Sequence, residues 1–266
     1  MSHPTQIENP EPVQALKTLI FGSGRVALTL RDKKKTTYLD LNDLALLKVQ
    51  CTEIDFDSGT LKDEGYKSAI PALGEYICSN WHTARFLGDF YLGWLEPIPE
   101  EDMSTVNDPD PSNQSLLQLS PWEVLKGVHC QNLDSRGIYW RTVFCLKHYG
   151  NSGPHFMCFL ANEHPLKGDQ LLLSEIFCII RMTLFNMKKG ESHNYQIAPV
   201  TVVSVSGQHV RIVQGYGDSS KDCIVVRKSR IISLHENDEL NSEGFIRIAC
   251  WLLGDPCIKS WPDYND

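Results

Sequence analysis

The chain lacks the short motifs that would announce a chemistry. It has no Cys-x-x-Cys pair, no Gly-x-Ser-x-Gly elbow and no Gly-x-Gly-x-x-Gly phosphate loop. The first absence removes the usual zinc-ribbon and dithiol signatures, and the second removes the strained nucleophile turn of the α/β-hydrolases. Gly22-Ser23-Gly24 is the nearest thing to a dinucleotide loop. It lacks the third glycine and precedes a strand-like run, so it reads as a turn. There is no excess of cations either: 25 Lys and Arg stand against 33 Asp and Glu, a formal net charge of −8. That balance argues against broad nucleic-acid or anionic-membrane binding and leaves room only for a local RNA contact. No apolar run has the length and purity of a membrane span. The first residues, Met1 to Gln6, carry neither a basic stretch nor an apolar core, which predicts that no secretory leader is present.

What remains is ordinary globular material, 42% apolar and 22% charged over 266 residues, enough for one large domain or two small ones. The nine cysteines are an odd number without close spacing. Free thiols in a reducing, cytoplasmic compartment are the simplest account. Residues 1–12, with Pro4, Pro10 and Pro12, read as a disordered tail. Residues 13–95 read as an N-terminal α+β lobe. Residues 96–115 carry Pro97, Pro99, Pro109 and Pro111 among acidic side chains, and read as a linker or loop. Residues 116–266 read as a C-terminal α+β lobe. The fold class expected is α+β, with a mixed or antiparallel sheet packed against a long buried helix and a C-terminal three-stranded meander.

In the N-terminal part, alternation over Arg25 to Arg31 and a strand-like run over Thr36 to Leu41 predict a hairpin across Asp32-Lys33-Lys34-Lys35. Residues 45–56 fit either a strand or a short helix. The aromatic-rich stretch from Ile70 to Trp94 predicts a helix with Pro71 at its first turn. Ser120-Pro121-Trp122-Glu123 has the form of a capping box and predicts a helix over 121–128. Ile138 to His148 and His155 to Leu160 predict strands. Glu239 to Leu253 predicts a final helix stopped by Gly254 and Pro256.

Two stretches carry the candidate site. The first runs from Asp169, suited to an N-cap, to Lys188 and Lys189, suited to a helix C-terminus. At 100° per residue, Gln170, Ser174, Arg181 and Lys188 fall on one narrow polar stripe, and nearly all the rest is apolar. Glu175 falls off that stripe, among Leu and Ile. A carboxylate there must be paired, protonated or facing a cavity, because an isolated buried charge is very costly. Two readings follow: a structural Glu held by backbone or an Arg, or a catalytic carboxylate.

The second stretch is the meander. Val200 to Val205 and Val210 to Gln214 flank Ser206-Gly207-Gln208-His209, where Gly at the first central position predicts a type II′ hairpin. In that register Ser206 faces His209, Val205 faces Val210 and Ser204 faces Arg211. Val203, Val205, Val210 and Ile212 form the apolar face, expected to pack on helix 169–188. Ser204, Ser206, His209 and Arg211 form the other, for which solvent is the ordinary setting. Cys223 to Arg227 supplies the third strand. The candidate catalytic residues are therefore Glu175, His209 and Arg211, with Ser204, Ser206 and Arg181 as candidate substrate-binding residues.

The Glu-containing helix, Ala198-Pro199-Val200, Gly207-Gln208-His209-Val210-Arg211, Val225-Val226-Arg227 and Trp251-Leu252-Leu253-Gly254 together resemble a group of uncharacterised filamentous-fungal proteins. The likeness covers residues 165–255. It implies a fungal source and a recurrent C-terminal unit, and brings no activity with it.

Other constellations carry less. His148, His155 and His164 lie near Cys145 and Cys158, but their spacings fit no zinc template. His155 and Cys158 sit at i and i+3 of a strand and point to opposite faces. Asp55-Phe56-Asp57-Ser58-Gly59 starts like a calcium loop without its twelfth-position glutamate. No cofactor and no metal are expected. Three function classes fit: a soluble fungal enzyme of small-molecule metabolism with a pocket at Glu175, a protein-binding or scaffold module, or an aminoacyl-tRNA-dependent cyclodipeptide-forming enzyme. The partners implied are a small molecule or a protein, with no membrane.

Overall fold

The structure is a computed structural model, and it describes residues 38–53, 80–95, 120, 122–125, 130–134, 137–148, 155–188, 199–218, 223–236 and 239–254. The hairpin expected over 25–41 lies almost wholly outside these residues, as do the acidic segment 96–115 and most of the first half of the helix expected from Ile70.

The fold is α+β, built on one mixed sheet. Its strands are β2 (Val49–Glu53), β3 (Trp122–Val124), β4 (Gln131–Asp134), β5 (Gly137–His148), β6 (Phe156–Asn162), β8 (Val200–Ser206), β9 (His209–Asp218), β10 (Cys223–Lys228) and β11 (Ile232–Ser233). The order across the sheet is β2-β10-β9-β8-β6-β5-β3, with β4 on β5 and β11 on β9. The pairs β6 with β8 and β2 with β10 are parallel, and the remaining pairs are antiparallel. Short ladders outside this sheet join β1 (Tyr38–Leu39) to β7 (Leu171–Leu172) and β12 (His235–Glu236) to β13 (Glu239–Leu240).

Among the described residues four helices cover the sheet: α1 (Leu41–Leu46), α2 (Asn80–Leu95), α3 (Leu173–Lys188) and α4 (Ser242–Leu253). One face packs against α3 and α1, through Val200, Val202, Val213, Ile224 and Val226 on the strands and Ile176, Ile179 and Met182 on α3. The other face packs against α2 and α4, through Leu87, Tyr91, Phe245 and Ile248. Strand β6 runs through the middle and is buried at every residue. That explains its unbroken apolar sequence, since a strand covered on both faces has no reason to alternate.

The meander register is the expected one: Ser206 opposite His209, Val205 opposite Val210, Ser204 opposite Arg211. Gly207 has φ +57°, and Lys48 is the one non-glycine residue with positive φ among those described. Gln208 therefore has negative φ, which makes the turn type II′. The partner of the apolar face differs from expectation. Val203, Val205, Val210 and Ile212 pack on α2 and α4, not on the helix that follows β7. The cause is that both faces are covered, so α3 took the face carrying Ser204 and Arg211. Ser204, Ser206 and Arg211 are accordingly buried, and only His209 is exposed.

Three boundaries also moved. The capping-box signal at Ser120 does not start a helix. Trp122 to Val124 pair with β5 instead, and the Ser120 hydroxyl accepts from the Trp122 N–H, two residues on. Buried sheet pairing outweighs a local capping preference there. Helix α3 begins at Leu173, so Asp169 sits in an exposed loop and caps nothing. Helix α4 begins at Ser242 behind an Asn241 N-cap, whose side chain accepts from Gly244 N–H at 2.9 Å. Glu239 and Leu240 belong to β13.

Candidate functional site

The site grows from the first turn of α3. Its N-cap position is Leu172, and Glu175 stands at N3. There its Oε2 accepts the Leu172 N–H at 2.8 Å. This is the returning half of a capping box, which satisfies one of the orphan donors at a helix start. From the facing strand β9, Arg211 reaches the same carboxylate. Its Nε donates to Oε1 at 2.7 Å and its second terminal nitrogen donates to Oε2 at 2.5 Å. The pair is bidentate, and both side chains are 0% exposed.

Arg211 does more than pair. Its remaining terminal nitrogen donates to the carbonyls of Lys167 at 2.7 Å and Gln170 at 2.8 Å. Lys228 donates to the Gly168 carbonyl, and Tyr38 donates to the Pro165 carbonyl at 2.8 Å. The Lys167 ammonium lies 4.0 Å from the centre of the Tyr38 ring. The loop 165–170 is thus held carbonyl by carbonyl onto the sheet and β1. Burial pushes the Tyr38 hydroxyl above its usual range, opposed by the Arg211 charge. The Cys51 thiol is also pushed up by burial, with Lys228 pulling the other way.

A second polar array lies on the same face. Asn162, at the end of β6, donates from Nδ2 to the Ser204 hydroxyl at 3.1 Å and to the Val205 carbonyl at 3.3 Å. Its Oδ1 accepts the Ser174 hydroxyl at 2.6 Å. Asn162 therefore ties α3 to β8 beside the ion pair. Ser206 is buried at the end of the hairpin, and its hydroxyl has no hydrogen-bond partner among the described residues.

The structure brings Glu175 and Arg211 into direct contact, places Ser204 in the neighbouring network, and buries Ser206 further along the same strand face. It does not bring in His209, which is exposed at the turn, or Arg181, which is exposed on the outer side of α3. Arg181 acts instead on Cys130, whose thiol it helps lower. Sequence reasoning missed Asn162, Lys228 and the backbone partners at Lys167, Gln170 and Leu172. Asn162 had a signal, being a polar residue closing an apolar strand. The backbone partners had none, because a loop carbonyl has no residue signature.

Chemically, the carboxylate offers little to a ligand. Three N–H groups donate to its two oxygens and the side chain is 0% exposed, whereas a base needs a lone pair aimed at the proton it takes. Among the described residues no group of His, Cys, Asp and Glu is arranged to hold a metal ion, and no helix is long and apolar enough to cross a membrane. No protein-family model, no curated protein and no solved structure matches the chain.

Proposed function

We propose that the chain is a non-catalytic binding or scaffold module whose partner is a protein. The observation that carries this reading is the complete burial and pairing of Glu175. The residue that most suggested chemistry is spent on Arg211 and the start of α3, and Arg211 on the loop 165–170. A pair so used organises a surface loop, and its carboxylate has no exposed surface to offer a substrate. An enzyme of small-molecule metabolism built on a pocket at Glu175 loses its nominated base.

A surface suited to a protein lies at the β2 edge. Strand β2 ends the sheet and pairs only with β10 among the described strands. Gln50, Thr52 and Glu53 on it are exposed. Beside it on α1, Leu41 is 80% and Leu46 is 64% exposed. An open strand edge next to exposed leucines is the arrangement by which extended segments of other proteins add to a sheet.

The test is affinity purification of the full chain from the cells that express it, with mass spectrometry of everything retained. The expected result is a protein in stoichiometric amount that is lost from a Leu41→Lys, Leu46→Lys variant with unchanged melting. A small molecule retained stoichiometrically by that variant, and lost from Glu175→Gln, would overturn the reading and restore the enzyme.

A further inference from the structure

The direction of the backbone groups along β2 follows from its pairing with β10. The Ile224 N–H donates to the Lys48 carbonyl at 2.9 Å, and Ile224 lies beside Val49 in a parallel ladder. Gln50 and Thr52 therefore turn their N–H and C=O toward β10. Val49, Cys51 and Glu53 turn theirs the other way, where no described strand lies. Sheets that stay monomeric blunt such an edge with a proline, a lysine or a bulge. The strand Val49–Glu53 contains neither proline nor lysine, and it pairs with β10 without a register shift.

This edge is complementary to itself. With a second copy set antiparallel and Cys51 opposite Cys51, Gln50 falls opposite Thr52 and Val49 opposite Glu53. All five residues of each strand are then paired, and every outward N–H of one copy meets an outward carbonyl of the other. Glu53 is the one charged residue of the strand. In this register it faces an apolar residue, and within its own chain it lies beside Lys228. Sliding the copies toward the β2 C-termini would set Glu53 against Glu53, which like charges oppose. The net charge of −8 is thus not concentrated where the copies meet.

We propose that the protein received at the β2 edge is a second copy of this chain, joined β2 to β2 through a twofold axis at Cys51. The inference rests on the reading that this edge binds a protein, and it names that protein. The axis relating two antiparallel strands of one sheet stands perpendicular to the sheet, so it keeps each helix on the face it already covers. Helix α1 leads directly into β2 and packs on the α3 face. Both copies of α1 therefore lie on one face of the joined sheet, flanking the seam with their exposed Leu41 and Leu46. An extended segment of a different protein would fill the edge and leave those leucines in water. The result is one continuous sheet through both copies, with its two remaining edges at the β3 ends.

The experiment measures the mass of the full chain in solution by sedimentation, from about 1 μM to about 500 μM, the range suited to a small edge interface. The expected mass rises from 30.1 kDa to twice that value. Cys51→Pro removes one outward N–H and no bond to β10, so it should stay at 30.1 kDa throughout with unchanged melting. Cys51→Ala keeps the N–H and should still double. Residue-resolved amide exchange on the unsubstituted chain gives a second reading that does not depend on any variant folding. The amides of Val49, Cys51 and Glu53 should slow as concentration rises, while those of Gln50 and Thr52 stay as they are. A constant mass of 30.1 kDa, or a doubling that leaves the three outward amides unchanged, would overturn the proposal. A monomer that still retains a different protein in the affinity purification overturns this inference alone; a monomer that retains none overturns the binding reading as well.

Discussion

Substituting either member of the buried pair should cost several kilocalories per mole, and substituting both should cost far less than the sum. Glu175→Leu removes the carboxylate and leaves the Arg211 guanidinium buried without its counter-charge. Arg211→Met strands the carboxylate and also frees the Lys167 and Gln170 carbonyls. Breaking one side of a buried ion pair costs about 3–5 kcal/mol. With a urea slope of about 2 kcal/mol/M, that is a midpoint shift of roughly 2 M. In heat, it is a fall of roughly 8–16 °C for a domain of this size. Additive singles would give about 6–10 kcal/mol for the double change. In Glu175→Leu, Arg211→Met no isolated charge remains. What persists is the loss of bonds to two loop carbonyls and to the Leu172 N–H, each about 1 kcal/mol. The double variant should therefore sit near about 3–5 kcal/mol, with a coupling energy of roughly 3–5 kcal/mol. Urea unfolding followed by circular dichroism on the four proteins measures this. Singles within about 0.5 kcal/mol of the parent, or strict additivity, would refute the claim that the pair is structural.

Val205→Asp should unfold the chain, because it sets an unpaired carboxylate between β8 and helices α2 and α4; an unchanged melting temperature would refute the packing described. Stability should fall as pH rises above about 9. Burial holds the Tyr91 hydroxyl and the Cys145 and Cys178 thiols above their usual values, so the folded state keeps protons that the unfolded state releases there. Tyr91→Phe should make the alkaline decline shallower in melts taken across that range, and an identical decline would remove Tyr91 from the account. Protein kept under reductant and then denatured should label at all nine cysteines; a shortfall of a pair would show a disulfide already present. In the native state the exposed Cys250 should label before Cys130, Cys145, Cys158 or Cys178.

Much of the C-terminal half was legible because its signals are periodic. The alternation of Val203, Val205, Val210 and Ile212 about Gly207 set the hairpin register, and the misfit of Glu175 in its helical wheel pointed to a buried partner. Arg211 could be nominated because it sits on the polar face of the hairpin. What was not legible was which face meets which helix. The wheel and the strand pattern say only that a face is buried, and here both faces of the sheet are. Trp122 was misread for the opposite reason. Its local sequence has the form of a helix start, and nothing near it indicates that β5 lies alongside. The loop 165–170 was invisible as part of the site because it contributes carbonyl oxygens, which every residue possesses.

The parallel pairing of β2 with β10 has a consequence for the order in which the protein is made. Val49 lies beside Ile224, about 175 residues later in the chain. At a synthesis rate of about 5–20 residues per second, β2 leaves the ribosome roughly ten to thirty-five seconds before its neighbour exists. Leu39, Leu44, Leu47 and Val49 join the core that also contains Ile224 and Val226, so these apolar groups await their place through that interval. The nascent N-terminal segment therefore carries apolar groups that cannot be covered by β10 until it is made. A circularly permuted gene that joins the natural ends and opens between β2 and β10 would place Val49 about 90 residues after Ile224 and shorten the wait to roughly five to eighteen seconds.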